Sequence, residues 1–126
     1  MKELRVALTV DDFDQALRFY RDALGLEQTA DWSSENGRVV VLEAGRATLE
    51  LLDEAQADYV DRIEAGRRVS GPVRLALEVP DSEETARGLV AAGAEEVAPL
   101  VTTPWGGRNA RLRAPDGMQL TLFTAE

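Results

Sequence analysis

LRVALTVDDFDQALRFYRDALGLE, residues 4–27, sets the architecture of this 126-residue chain. Residues 5–10 (RVALTV) alternate like a strand with one buried face: Val6, Leu8 and Val10 point one way, Arg5, Ala7 and Thr9 the other. Asp12 and Gln15 form a capping-box pattern at a helix start. Phe13, Ala16, Leu17, Tyr20 and Leu24 then recur at helical spacing until Gly25 stops the helix. A shorter version returns at residues 73–95, VRLALEVPDSEETARGLVAAGAE, with Arg74 lying over Arg5 at an offset of 69 residues. Asp81 falls on Asp12 and, after a one-residue deletion, Gly93 on Gly25. A repeat of this length predicts one domain made of two similar halves.

Each half extends into further strands. In the first, residues 26–32, 38–43 (RVVVLE) and 47–52 (ATLELL) read as strands separated by polar or glycine turns, which completes a βαβββ unit. In the second, residues 74–79 lead into a helix that starts at Pro80-Asp81 and ends at Gly93, followed by strands over 95–101, 108–113 and 118–124. The modules are about residues 1–53 and 72–126. A linker helix over about 54–66 joins them, with Tyr59, Val60 and Ile63 as its expected buried side.

Composition narrows the chemistry. With 44% hydrophobic and 29% charged residues the chain is an ordinary soluble globular domain. No apolar run approaches the roughly 20 residues that span a bilayer, and the N-terminus lacks a signal-peptide pattern, so a cytoplasmic location is expected. There is neither cysteine nor histidine, which removes thiolate nucleophiles, disulfides, imidazole bases and imidazole metal ligands. A formal charge of −9 argues against nucleic-acid and anionic-membrane partners, because both need a basic footprint.

Taken together, RVALTVDDFDQALRFYRDALGLE, ATLELLD, RLALEVPD and TPWGGRNARLRAPDGMQLTLF resemble the vicinal oxygen chelate superfamily. Its members include glyoxalase I, extradiol dioxygenases, fosfomycin-resistance enzymes and bleomycin-resistance proteins. The resemblance covers nearly the whole chain. It implies an α+β fold of two βαβββ modules forming a curled, cup-shaped mixed sheet, paired in a homodimer. Metal-dependent members carry His, Glu, His and Glu at the positions of Arg5, Glu50, Arg74 and Thr121 here, so only Glu50 is retained. A guanidinium has no lone pair for a metal and would repel a divalent cation. No metal site, no other cofactor and no catalytic residue are therefore assigned.

In the fold that the resemblance implies, strand alternation places Arg5, Ala7, Thr9, Thr48, Glu50, Leu52, Arg74, Ala76, Glu78, Gln119, Thr121 and Phe123 on the cup face. Glu50 is then expected between Arg5 and Arg74, either as an ion network that keeps the cup closed or as a ligand contact. Trp32 ends a strand beside a polar turn, and Trp105 sits in the loop TTPWGG. Each reads as a wall for a planar ligand or as ordinary packing. Arg111 and Arg113 share a strand face and point either into the cup or to solvent. The expected ligand-binding set is Arg5, Ala7, Trp32, Glu50, Leu52, Arg74, Trp105, Arg111, Thr121 and Phe123.

Two functions fit these residues. One is a metal-independent protein, like the bleomycin-resistance branch, that sequesters an antibiotic or another planar aromatic natural product without turnover. The other is a metal-free lyase, isomerase or cyclase of natural-product metabolism that uses Glu50 with Arg5 or Arg74 to polarise a carbonyl.

Overall fold

The computed structural model describes residues 2–3, 5–48 and 50–125. Leu4, at the head of the first repeat, and Leu49, in the expected fourth strand, lie outside the described residues. The fold is α+β, with helices on a curled mixed sheet.

The second repeat forms a complete unit. Strand β3 (Leu75–Glu78) leads to helix α3 (Ser82–Ala91), then to β4 (Glu95–Thr102), β5 (Gly107–Arg113) and β6 (Gln119–Ala125). The spatial order is β3-β6-β5-β4, with β3 parallel to β6 and the other neighbours antiparallel. Asp81 caps α3 as its sequence pattern predicts, its carboxylate accepting from the Glu84 amide at 3.1 Å. Leu89 of α3 packs on Ala110, Leu112, Leu120 and Leu122, the four core-facing positions of β5 and β6. Burying each of these leucines contributes about 1.5–3 kcal/mol, so this face is the energetic centre of the fold.

The first repeat is formed only in part. Its helix begins as α1 (Phe13–Ala16), capped by Asp12, and continues as a π-helical segment (Leu17–Ala23). Strands β1 (Gln28–Asp31) and β2 (Val40–Leu42) then form an antiparallel pair with a bulge between Gln28 and Ala30. The expected strands at 5–10 and 47–52 are not found among the described residues, which follow no ladder there. Alternation states which face of a segment is apolar, whereas a strand also needs a neighbouring backbone. RLALEV has that neighbour in β6, but its counterpart RVALTV has none among the described residues. Val6 and Leu51 are consequently exposed.

Helix α2 (Glu54–Ala65) joins the repeats, starting at the Asp53 cap and ending at Gly66 in the left-handed conformation. It packs on β4 and β5. The expected buried side was only partly correct. Val60 is buried and Ile63 half-buried, but Tyr59 is exposed, and two acidic residues, Asp61 and Glu64, take the innermost places.

Candidate ligand-binding face

The four-stranded sheet has two chemically different sides. Ala110, Leu112, Leu120 and Leu122 belong to the core under α3. The alternate positions of β5 and β6 carry Asn109, Arg111 and Arg113, and Gln119, Thr121 and Phe123. Ladder register aligns Ala76, Thr121 and Arg111 across three strands, and likewise Glu78, Phe123 and Asn109. This polar side is the one that strand alternation assigned to the cup.

Arg111 points onto that side but meets neither a cavity nor solvent. It is 0% exposed. Its Nη2 donates to Asp61 Oδ1 at 2.7 Å, its Nε to Glu64 Oε1 at 2.6 Å, and its Nη1 to Ser70 Oγ at 3.2 Å. Asn109 Nδ2 donates to the other Glu64 oxygen at 2.8 Å. Asp61 also accepts from the backbone amides of Val69 and Ser70, at 2.8 and 2.7 Å. Burial pushes the Asp61 carboxyl up, but those amides, Arg111 and the Ser70 hydroxyl outweigh it and hold the group at about 2. The ion network therefore locks the linker helix onto β5. Arg113 differs: it is exposed and pairs with Glu95 at 3.3 Å. Of the two readings open for this pair, solvent holds for Arg113 alone.

Arg74 immediately precedes β3. Its Nη1 donates to Thr121 Oγ1 at 2.6 Å, and Thr121 is itself buried. Desolvation, followed by the charge of Arg111, draws the Arg74 guanidinium below its ordinary pKa. Gln119 Oε1 and Asn109 Oδ1 are buried without a hydrogen-bond partner.

The expected Glu50 clamp does not form. Arg5 pairs with Glu3, bidentately at 2.9 and 3.0 Å, and stacks over the Trp32 ring at 5.2 Å. Arg74 turns to Thr121, and among the described residues no hydrogen bond or ion pair reaches Glu50, which is exposed. Residues 5–10 and 47–52 carry no ladder among the described residues; Arg5 stays with Glu3, and Glu50 acts on Arg74 through its charge alone, beyond hydrogen-bond reach. Ala7 and Leu52 are exposed on those same segments, and Phe123 is half-buried on β6.

The tryptophans stand apart from this network. Residues 103–106 make a tight turn between β4 and β5. Thr103 N–H donates to the Gly107 carbonyl at 2.8 Å, and Gly107 N–H donates back to Thr103 Oγ1 at 2.9 Å. Trp105, at the tip, is 50% exposed and lies 6.3 Å from the Tyr59 ring of α2, tilted by 53°. Trp32 is 57% exposed and follows β1. Tyr59 is a surface aromatic that helical periodicity had assigned to the core. Its i, i+4 spacing to Ile63 gave no sign that two acids would be turned inward in its place. The Trp105 turn lies at the Ala125 end of β6 and Arg74 at its Gln119 end, so they occupy opposite ends of the sheet.

This donor set does not fit a divalent metal. The four positions hold two guanidinium groups, one of them bonded to the Thr121 hydroxyl, and one carboxylate that joins neither. Among the described residues no group of three or more acidic side chains is placed to hold a metal ion.

Comparisons with known proteins agree with this architecture. Residues 4–122 match the profile of the Glyoxalase/Bleomycin resistance protein/Dioxygenase superfamily. The uncharacterized protein YraH of Bacillus subtilis (strain 168) is 30% identical over 129 residues, covering 98% of each chain. A solved member of the same superfamily from Sphaerobacter thermophilus DSM 20745 is 28% identical with a TM-score of 0.60, covering 96% of this chain and 99% of the other. TnmS3, an antibiotic binding protein from Streptomyces sp. CB03234, is 24% identical with a TM-score of 0.59, over 100% and 99% of the two chains. At that identity the likeness to TnmS3 is one of fold alone.

Proposed function

Because this chain belongs to the Glyoxalase/Bleomycin resistance protein/Dioxygenase superfamily, we propose that it is a metal-independent binding protein for a planar, aromatic small molecule. In this reading it sequesters an antibiotic or related natural product, as TnmS3 is described to bind an antibiotic, and does so without turnover. The observation that carries the reading is the Tyr59–Trp105 pair, two half-exposed rings already held together at the edge of the polar sheet face. Paired aromatics of this kind stack on flat ligands at little conformational cost. The lack of fit to a divalent metal favours binding over the metal-assisted chemistry found elsewhere in the superfamily.

The protein acts as a homodimer in this proposal, and the partner completes the cup. Residues 5–10 and 47–52 carry no ladder among the described residues and leave Val6, Leu51 and Leu52 exposed in the single chain, and a second copy would supply the missing ladder.

The test is quenching of tryptophan fluorescence by a panel of planar antibiotics and quinones, with and without EDTA, repeated for Trp105→Ala. Quenching that survives EDTA and disappears in the variant is expected. Loss of binding on EDTA treatment, or conversion of the bound compound seen by mass spectrometry, would replace this reading with a metal-dependent or catalytic one.

A further inference from the structure

The charge of the ligand follows from the arginines. Eight of the chain's guanidinium groups, those of Arg5, Arg21, Arg38, Arg68, Arg87, Arg108, Arg111 and Arg113, lie within 4.0 Å of a carboxylate. Arg18, Arg46, Arg62 and Arg67 have no such partner among the described residues, but all four are exposed and hydrated by solvent. Arg74 alone is partly buried without a carboxylate at ion-pairing distance among the described residues. Its one side-chain hydrogen bond goes to a neutral hydroxyl, which leaves Nε and Nη2 with N–H groups to give.

The neighbouring charges do not supply the missing anion. Asp61 and Glu64 stand on the same side of the sheet, but both are bound to Arg111, and Glu50 reaches Arg74 only through its charge, exposed and without a hydrogen bond or ion pair to it among the described residues. Arg111 adds a second positive charge beside Arg74. The Thr121 hydroxyl, buried and bonded to Nη1, holds the guanidinium over the polar face and acts as a positioning residue. A partly desolvated cation that is anchored but not ion-paired is a ready donor to an anionic oxygen.

We propose that the ligand carries an anionic oxygen, a carboxylate or an ionised phenol or enol, and that Arg74 binds it at the Gln119 end of the polar sheet face. This rests on the reading above that the chain binds a planar ligand, and it places the anionic oxygen at the end of the face opposite the Tyr59–Trp105 pair, so the two contacts serve different ends of the site. The net charge of −9 repels an anion at long range, so the recognition is local and depends on this one side chain.

Anthraquinone-2-carboxylate and its neutral carboxamide are matched probes for calorimetric titration at neutral pH. The carboxylate is expected to bind the unaltered protein at least about tenfold more tightly, the range of one charge-assisted hydrogen bond. That preference should disappear in Arg74→Met while affinity for the carboxamide stays the same. Arg74→Lys, which keeps the charge without the fork, should retain part of it and guards against a folding defect in the methionine variant. Equal affinity for the two probes, or a preference that survives in Arg74→Met, overturns the anionic assignment and leaves the planar-ligand reading standing. Binding of neither probe removes both.

Discussion

Arg111 donates to two carboxylates of α2 while fully buried, so the seat of the linker helix is set by charge as much as by apolar area. Burying three ionised groups is costly, and replacement by apolar side chains of matching shape can be neutral, but removing one partner leaves a charge stranded. Asp61 is the member with the most partners, including two backbone amides. Its carboxyl sits at about 2 in the folded chain against 3.8 when free. A depressed acid stabilises the folded state above its unfolded pKa and loses that contribution as pH falls through the folded value. About 2 kcal/mol of stability should therefore be present at pH 6 and vanish progressively between pH 4 and pH 2. Urea unfolding across that window measures it. In Asp61→Asn the protein should be less stable at pH 6, with a correspondingly shallower loss on acidification. A variant that keeps the full acid dependence would assign the effect to other carboxylates.

At the scale of elements, the β4–β5 turn shows why a loop with two glycines is built as it is. Gly106 has a positive φ of 90°, which suits glycine. Gly107 is needed for a different reason: a Cβ there would lie 2.5 Å from Asn109 Oδ1 and 3.3 Å from Thr103 Oγ1. The Asn109 amide cannot retreat freely, because its nitrogen is bonded to buried Glu64. Gly107→Ala should destabilise the chain by about 1–3 kcal/mol, the ordinary cost of overpacking. It should also alter the tryptophan emission, since Trp105 sits on the same turn. Thermal unfolding with fluorescence reads both, and an unchanged melting temperature would mean that Asn109 yields easily. The first helix gives a second case. Its π-helical segment turns consecutive residues, Phe19 and Tyr20, into the core with rings 5.0 Å apart and edge-on, whereas α-helical spacing had selected Tyr20 without Phe19. Tyr20 also donates to Asp116 in the turn before β6, which ties the first repeat to the second.

For the molecule as a whole, the two repeats share a sequence pattern but not an equal state of completion. The second is a complete βαβββ unit, while the first keeps its helix and hairpin and, among the described residues, has no ladder over 5–10 and 47–52. If a second copy supplies the ladder, sedimentation should give twice the chain mass at micromolar concentration. Ala7→Pro removes a backbone donor in the middle of residues 5–10 and should shift the equilibrium toward the monomer by tenfold or more, about 1.4 kcal/mol. A monomer at every concentration, or a variant that sediments unchanged, would sink the dimeric cup.

RVALTV and RLALEV are nearly the same six residues, and the difference in their fates marks where sequence stops being sufficient. Periodicity, caps and glycine stops were legible because they depend on residues a few positions apart: Asp12 and Asp81 cap helices, and β3 to β6 fall within a residue or two of their expected places. The repeat and the superfamily motifs were legible for the same reason, being linear patterns. Among the site residues, alternation placed Arg74, Thr121 and Phe123 on one side of the sheet and left Arg111 between that side and solvent; a face assignment needs only a strand and its register. What those side chains touch was decided by elements distant in sequence. Helix α2 brought Asp61 and Glu64 to Arg111 across about 50 residues and turned Tyr59 out to meet Trp105, while Arg74 bonded to Thr121 instead of Glu50. Charge pairing between such positions follows from which backbones lie side by side, and hydrophobic pattern does not carry that information.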